Sequence, residues 1–381
     1  MPINRERRRF LAGAGAIALG LPTIRAAQAQ QASGMPYKIG VTYPLSGPQG
    51  AWGQLIVPAI EIAVQHVNGA GGVNGRPLAL VVEDSKGNPE GAVSAMRKVV
   101  QVDGVQVIMT IFTNVVSAQM PLSQQFKVPL ISPVEAPGLV ARSDHWAFAH
   151  SALLKRTLPL LEERWKNMGV KRLFAFYPNT PIAPYGSGLV KEAVVGRLGA
   201  AYEETLFKLG DTDFRGLITR AKAFNPDAIL VWGHGTPDEG VIMKQTRELG
   251  LSTPMFNGSA NPTVKTYREA AGKSLEGVIY AGFKYDPAAA KKLIDAYRAK
   301  LGFDPDFASL EVYDMVNMIA AAIRQNGYDG EGIRNFLREL KDFKSIGGGT
   351  FSMDPDGQSI VPVALYQVKD AEKPVFEEIK P

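Results

Sequence analysis

The chain has 381 residues, 45% of them hydrophobic and 21% charged, which is an ordinary balance for a globular protein of two domains. It has no cysteine, which excludes disulfides, thiol nucleophiles, thiolate metal sites and the lipid-modified cysteine of a lipoprotein. The formal net charge of +5 does not indicate a nucleic-acid partner, because five arginines and one glutamate lie in residues 1–29 and leave about +1 elsewhere.

Residues 1–29 are predicted to be an export signal. Arginines at positions 5 and 7–9 precede an apolar stretch at 10–21, and Ala27-Gln28-Ala29 has the small-x-small pattern of a cleavage site. The sequence RRRFL at 7–11 resembles a twin-arginine signal, although Glu6 stands where Ser or Thr is usual, and a general secretory signal is the alternative. We expect cleavage near Ala29 and a free, monomeric periplasmic protein.

Strands and helices alternate in the first part of the remaining chain. Strands are predicted at 37–43, 78–83, 105–111 and 129–132, and helices at 56–67, from 89 onward and at 115–126. The first helix carries an apolar face and is preceded by Trp52, which we expect to be exposed at the mouth of the helix. Asn88 before Pro89 is a helix-capping pattern. The alternation predicts a parallel sheet with helices on both faces.

The same alternation then restarts. Helices are predicted at 153–168, 187–198, 214–224 and 238–249, and strands at 172–177, 201–206, 228–232, 254–257 and 277–283. Three helices at 287–301, 307–325 and 330–340 follow, and then strands at 350–353 and 361–368 around a turn at 354–357. We therefore expect an α/β fold of two similar halves, with the three late helices returning to the first half.

Catalysis finds little support. The four histidines lack metal-ligand spacing, and no nucleophile elbow is present. His66, late on an amphipathic helix, is predicted to be a surface residue. The glycine-rich segment 69–75 follows a helix and precedes a strand, the reverse of a dinucleotide-binding motif, and is interpreted as a turn. The sequence predicts no enzyme activity, cofactor or metal.

The better candidates for a binding site are loops at strand ends, which present backbone N–H groups and small polar side chains to a small solute. Thr113 and Asn114 stand just before a helix, where an anion such as a carboxylate is favoured, with plain helix capping as the alternative. Trp52 and Tyr185 are predicted pocket walls, and His234 is a candidate ligand contact. The remaining candidates in these loops are Glu135, Ala136, Gly235, Ser259 and Ala260.

Several stretches together resemble the leucine/isoleucine/valine-type periplasmic binding proteins, the type I solute-binding subunits of ABC importers. They are IGVTYPLSGPQGAWGQ, NGAGGVNGRPLALVVEDSKGNPEGA, VPLISP, APYGSGL, GDTDFRGLITRAKAFNPDAIL and KQTRELGLSTPMF. The resemblance implies two lobes, 36–150 with 285–346 and 151–284 with 347–381, joined by three hinge crossings near 150–152, 283–286 and 345–349. Ligand is then expected in the cleft between the lobes.

The resemblance also implies roles for single residues. Trp52 matches the aromatic wall of the first loop, Thr113 and Asn114 match a pair that holds a ligand carboxylate, and Tyr185 matches the aromatic of the second lobe. Two positions depart from the pattern. Gly235 falls where a second aromatic often sits, and Ala260 falls near the acid that pairs with an α-ammonium.

These departures weaken the case for an amino-acid ligand. Glu135 is either a relocated partner for an ammonium or a group that rejects carboxylates and favours an amide, amine or urea-like solute. The expected function is delivery of a branched-chain amino acid or a related amide or aromatic carboxylate to an ABC permease. The alternative is a ligand-sensing module for a membrane sensor kinase or regulator.

Overall fold

The computed structural model describes residues 33–47, 49–134, 145–371 and 375–381, so the predicted export signal lies outside it. The first part of the chain forms a parallel sheet in the order β2-β1-β3-β4-β5. Its strands are β1 (Tyr37–Tyr43), β2 (Leu78–Asp84), β3 (Ile108–Thr110), β4 (Leu130–Ser132) and β5 (Ala147–Ala149). The helices between them are α1 (Gly50–Gly69), α2 (Pro89–Arg97) and α3 (Thr113–Phe126).

The second part repeats the alternation of strands and helices. The helices are α4 (Leu154–Asn167), α5 (Ala183–Lys191), α6 (Arg215–Phe224), α7 (Pro237–Glu248) and α8 (Lys265–Ala271). The strands are β6 (Arg172–Pro178), β7 (Ala201–Phe207), β8 (Ala228–Val231), β9 (Met255–Asn257) and β10 (Ile279–Phe283). These five strands are mutually parallel in the order β10-β9-β8-β6-β7.

Three helices and five strands complete the chain. They are α9 (Lys291–Leu301), α10 (Phe307–Asn326), α11 (Gly330–Arg338), β11 (Phe343–Lys344), β12 (Thr350–Met353), β13 (Ser359–Ile360), β14 (Val363–Asp370) and β15 (Val375–Ile379). Helices α9 and α10 pack on α1, and α11 packs on α10, as the predicted return to the first half requires. We call the first sheet with α1–α3 and α9–α11 the first lobe, and the second sheet with α4–α8 the second lobe.

The predicted mixed α/β architecture, with parallel sheets flanked by helices, is confirmed. Strands β14 and β15 extend the second sheet in the antiparallel sense, beside β10. Strands β11–β13 form a separate small antiparallel sheet, and a bridge joins Ala149 to Gln358 beside β5. The three hinge crossings stay a prediction. Because residues 350–360 contact the first lobe and β14 begins at Val363, the contacts favour a third crossing later than 345–349.

Local sequence explains the elements that position the site. In α1 the residues predicted to share an apolar face are all buried, namely Ile56, Ile60, Ala63, Val64 and Val67. The Oδ1 atom of Asn88 accepts a hydrogen bond from the N–H of Gly91 at 2.8 Å, as the predicted cap requires. The glycine-rich segment after α1 is a turn, as predicted, with φ of +97° at Gly71 and +74° at Gly72.

Other expectations were wrong. Trp52 is 7% exposed rather than an exposed side chain. His66, by contrast, is partly exposed, as a surface residue can be, and its Nδ1 lies 2.8 Å from the hydroxyl of Tyr313. The helix expected at 187–198 begins at Ala183, and β5, α8 and β15 were not predicted. No helix among the described residues has the length and apolarity to cross a membrane.

Candidate ligand-binding cleft

Two adjoining cavities form a cleft between the lobes, at the carboxyl ends of the parallel strands. The inner cavity, about 690 Å³ with its open mouth, is lined by Trp52 and Phe112 of the first lobe and by Trp232 of the second. The outer cavity, about 1430 Å³ with its open mouth, is also lined mainly by apolar surface but includes the charged residues Lys86 and Asp238. Both lobes contribute to each cavity, and the edge of an open α/β sheet is where such folds bind small molecules.

A chain of aromatic rings crosses the cleft. The ring of Phe112 meets that of Trp52 edge to face, with centroids 6.2 Å apart, and meets the imidazole of His234 in the same way at 6.2 Å. Trp52 and Phe112 belong to the first lobe, whereas His234 belongs to the second. Edge-to-face pairs of this kind favour a fixed arrangement of the rings. The rings therefore give the inner cavity a wall that spans both lobes.

A carboxylate at the end of β2 stabilises the loop that leads to Trp52. Asp84 accepts hydrogen bonds from the N–H of Leu45 at 2.8 Å, the hydroxyl of Ser46 at 2.5 Å and the N–H of Lys86 at 2.8 Å. Partial burial alone would raise the pKa of Asp84, but these donors lower it below its usual value. The loop that leads into α1 is thus held in one conformation.

Gly235 is the point where the second lobe meets Trp52. A Cβ atom at this residue would lie 3.0 Å from Cζ2 of Trp52 and 3.1 Å from Oδ1 of Asn261, and its φ is +71°. A side chain here would collide with the tryptophan and strain the backbone. The glycine that stands where the family pattern suggested an aromatic therefore makes room for the aromatic ring of the opposite lobe.

Phe112, which was not predicted as a site residue, has an unusual backbone. Its φ is +70° with ψ +134°, immediately after β3 and at the start of α3. Such a conformation costs on the order of 1–3 kcal/mol for a residue other than glycine, and strain of this kind clusters at functional sites. No sequence signal marks it, because an apolar residue after a buried strand is typical of a core position.

The buried carboxyl group of Glu239 accepts hydrogen bonds from the second-lobe segments that line the inner cavity. Its Oε1 accepts the N–H of Gly235 at 2.7 Å and that of Thr236 at 3.3 Å, and its Oε2 accepts the amide of Asn261 at 3.0 Å. Burial raises the pKa of Glu239 to about 7, although these donors lower it. The amide of Asn261 also reaches the carbonyl of Gly233 at 3.3 Å. One buried carboxyl group therefore fixes two segments of the cleft.

His234 contributes a neutral ring. Burial lowers its pKa to about 4, so the imidazole is uncharged near pH 7. Its Nε2 lies 3.1 Å from Oγ1 of Thr180, which also belongs to the second lobe. His234 lines both cavities, and its role as a ligand contact stays a prediction.

The residues expected to bind a carboxylate occupy different places. Thr113 lines both cavities at the first turn of α3. Asn114 lines only the outer cavity, and its Nδ2 donates to the carbonyl of Gly87 at 2.9 Å, so its amide also secures the loop after β2. Glu135 and Ala136 lie outside the described residues.

The remaining predicted residues divide between the cleft and its surroundings. Ser259 lines the inner cavity, and its N–H donates to Oδ1 of Asn257 at 3.0 Å. Ala260 is buried on the other side of the same segment, in a separate cavity. Tyr185 is half-buried against the core of the second lobe, whereas Trp232 and Ile182 line the inner cavity. The second-lobe aromatic at the cleft is thus Trp232.

Sequence reasoning also missed two polar groups. Ser151 lines the inner cavity, and its hydroxyl donates to Oε1 of the buried Glu311 at 2.7 Å. Asn261 lines it too, one residue beyond the predicted loop. Among the described residues no cluster of acidic and histidine side chains is suited to a metal ion. The inner cavity thus combines aromatic walls with a few hydroxyl and amide groups.

The two lobes and the cleft between them define a solute-binding α/β protein. A model of the family described as periplasmic binding protein matches residues 36–373. The chain belongs to this family, as the sequence predicted. A relative, Leu/Ile/Val-binding protein homolog 1 of Brucella abortus, is 27% identical over 336 residues, covering 85% of this chain and 88% of its own.

Solved structures share the fold. A leucine-binding protein of Thermotoga maritima is 25% identical and superimposes with a TM-score of 0.79, covering 90% of this chain and 99% of its own. A solute-binding protein of an ABC transporter from R. palustris, in complex with benzoate, is 17% identical with a TM-score of 0.79, covering 91% and 96%. The family binds solutes, which agrees with the prediction that the chain is not an enzyme.

Proposed function

We propose that this protein is the solute receptor of an ABC importer and that its inner cavity takes a small aromatic carboxylate. The observation that carries the ligand class is the lining of that cavity. Trp52, Phe112 and Trp232 supply aromatic walls, and no carboxylate side chain among the described lining residues is available to an ammonium group. Because an unpaired buried ammonium is costly, an amino acid fits this lining less well than a planar aromatic acid.

The polar groups of the inner cavity suit the carboxylate end of such a ligand. Thr113 begins α3, where the helix dipole favours an anion. Ser151 and Ser259 also line this cavity, but their hydroxyls already donate to Glu311 and Asn257, so the positive end of the α3 dipole is the feature that favours the carboxylate. The neutral His234 leaves the aromatic wall uncharged. Support also comes from the shared fold of the protein named for its benzoate complex, while the leucine-binding relatives keep the amino acid as the competing ligand.

A thermal-shift panel tests the ligand class. It compares benzoate, benzamide, benzylamine, leucine and phenylalanine at the same concentration. A ligand at about 100 times its dissociation constant stabilises the folded state by about 2.7 kcal/mol. We expect benzoate to raise the melting temperature and benzylamine not to. Absence of stabilisation by benzoate would contradict the proposal, and stabilisation by leucine that is lost in Trp52→Ala would place leucine in the cleft and make Glu135 the candidate partner for its ammonium.

The transport role has separate tests. Mass spectrometry of the exported protein is expected to show an N-terminus near residue 30, and fractionation is expected to place it in the periplasm. Lysine replacement of Arg7 and Arg8 is expected to block export only if the twin-arginine route is used. Light scattering is expected to give a monomer. Uptake of labelled benzoate that persists after deletion of the gene would contradict the role of solute receptor.

A further inference from the structure

A second cavity adjoins the cleft. Ser259 and Asn261 line the inner cavity, whereas Ala260 and Thr263 line a separate cavity of about 690 Å³, its open mouth included. Phe307, the first residue of α10, lines both. We call the separate space the back cavity. It shares a wall with the solute site.

Both lobes build the back cavity. The second lobe contributes Arg268 of α8 and Tyr280 of β10, and the first lobe contributes Asp304, Asp306 and Ile294. The lobes touch at its rim, since the N–H of Phe307 donates to Oγ1 of Thr263 at 3.3 Å and Nζ of Lys265 lies 5.4 Å from the centre of the Phe303 ring. An occupant of this cavity therefore contacts both lobes.

The charged side chains that line the back cavity differ in their hydrogen-bond partners. Nε of Arg268 is buried and has no hydrogen-bond partner among the described residues. By contrast, Asp304 accepts a hydrogen bond from Nε of Arg298 at 2.8 Å, and Asp306 caps α10 by accepting the N–H of Ser309 at 2.9 Å. A buried donor without an acceptor is destabilising. Nε of Arg268, whose charge already has Asp304 and Asp306 nearby, thus lacks the hydrogen-bond acceptor that a ligand carboxylate would supply.

The remaining lining sets the other properties of the ligand. Its walls are apolar and come from Phe283, Tyr285, Ile294, Phe307 and Leu310. An anion without a positive group would face two carboxylates, and a cation without a negative group would face the guanidinium. We propose that the back cavity binds a zwitterion with an apolar side chain, that is, an apolar α-amino acid. Its carboxylate meets Arg268, and its ammonium faces Asp304 and Asp306.

The back cavity and the solute cleft share lining residues. The segment 259–263 and Phe307 contact both cavities, and an occupant of the back cavity bridges the two lobes. Any effect of the amino acid on the affinity of the cleft is matched by an equal effect of the cleft ligand on the affinity of the back cavity. An amino acid in the back cavity therefore occupies a site other than that of the solute in the cleft.

Calorimetric titration of the mature protein tests the site with L-leucine and two analogues, 4-methylpentanoate, which lacks the ammonium, and 3-methylbutylamine, which lacks the carboxylate. We expect leucine to bind and each analogue to bind at least tenfold more weakly. Arg268→Met is expected to weaken leucine binding at least tenfold. Trp52→Ala, a change in the cleft, and Arg215→Met, a surface arginine matched in size, are expected to leave it within twofold.

Several outcomes overturn the proposal. Leucine binding that survives Arg268→Met and is lost in Trp52→Ala would assign leucine to the cleft, and equal binding of 4-methylpentanoate would exclude a zwitterion. Absence of leucine binding would also overturn the proposal. Circular dichroism checks that each variant folds, and Ile294→Trp, which fills the cavity and keeps Arg268, is expected to abolish leucine binding as well. Benzoate binding by Arg268→Met is measured as well, because it tests the proposed solute site in the cleft independently of the proposed amino-acid site in the back cavity.

Discussion

Replacement of Gly235 by alanine tests whether the contact between the lobes at Trp52 belongs to the ligand-bound state. The new Cβ would lie 3.0 Å from Cζ2 of Trp52 and 3.1 Å from Oδ1 of Asn261. Favourable contacts between carbon atoms are about 3.5–4.0 Å, so the tryptophan ring has to move by about half an ångström or more. The φ of +71° adds a second, purely local penalty.

Gly250 provides the matched control. Its φ is +78°, and a Cβ there would meet no atom within 4 Å. An alanine in this backbone region costs about 1–2 kcal/mol, so Gly235→Ala and Gly250→Ala are expected to lose a similar amount of folding stability from this source. Any further effect of Gly235→Ala then reports the collision with Trp52.

The collision is expected to appear in ligand affinity rather than in stability. Trp52 and Gly235 lie on different lobes, so a conformation with the lobes farther apart avoids the contact. Overpacking typically costs about 1–3 kcal/mol, and if that cost falls on the closed form it weakens binding roughly 5- to 150-fold. Closure of two lobes around a solute is the hinge motion expected of such a fold.

Urea unfolding measures the stability of both variants, and calorimetry with the ligand found in the panel measures affinity. We expect equal losses of stability and a loss of affinity only in Gly235→Ala. Equal affinities in the two variants would refute the reasoning. The reasoning would also be refuted if Gly235→Ala lost about 1–3 kcal/mol more folding stability than Gly250→Ala with no loss of affinity. That result would mean that the lobes are held together without ligand.

Three further changes probe the same cleft. Trp52→Ala is expected to weaken binding by about 1–3 kcal/mol, whereas Tyr185→Ala, away from the cavity lining, is expected to leave affinity unchanged in the same titration. Burial raises the pKa of Glu239 from 4.5 to about 7, so the folding stability that this group contributes falls by up to about 3 kcal/mol as the pH rises from about 4.5 through 7. Urea unfolding at a series of pH values measures this dependence, and Glu239→Gln is expected to make it flatter. Glu135→Gln is expected to strengthen binding of a carboxylate ligand, and a large loss of affinity would instead indicate a cationic group.

Periodicity was enough to predict the order of strands and helices and the parallel sheets. Strand β1 and the helix face around Ile56 follow directly from the spacing of apolar residues. The elements that were missed are short or lie at edges, such as β5 with three residues and α8 with seven. Such elements depend on neighbours far away in sequence, and local patterns carry little information about them.

The candidate site was predicted at the level of loops rather than of side chains. Strand ends predicted the segments around Thr113, His234 and Ser259, which line the cavities of the cleft, because parallel strands bring their carboxyl ends to one edge. The burial of Trp52 was not predictable, since Gly235 of the other lobe covers it. The place of Phe112 in the site was not predictable either, because the direction of its side chain depends on a positive φ that is uncommon for an apolar residue.

The strain at Phe112 has a physical counterpart in the rigidity of the cavity. A glycine would relieve a φ of +70°, but it would also remove the ring that joins Trp52 to His234. A wall whose rings already hold their positions loses less conformational entropy when a solute binds, which improves affinity without adding contacts. The neutral imidazole of His234, with its pKa lowered by burial to about 4, keeps that wall uncharged. The backbone strain is thus offset by a preformed apolar surface, and orientation of the solute is left to the polar groups near Thr113, Ser151 and Ser259.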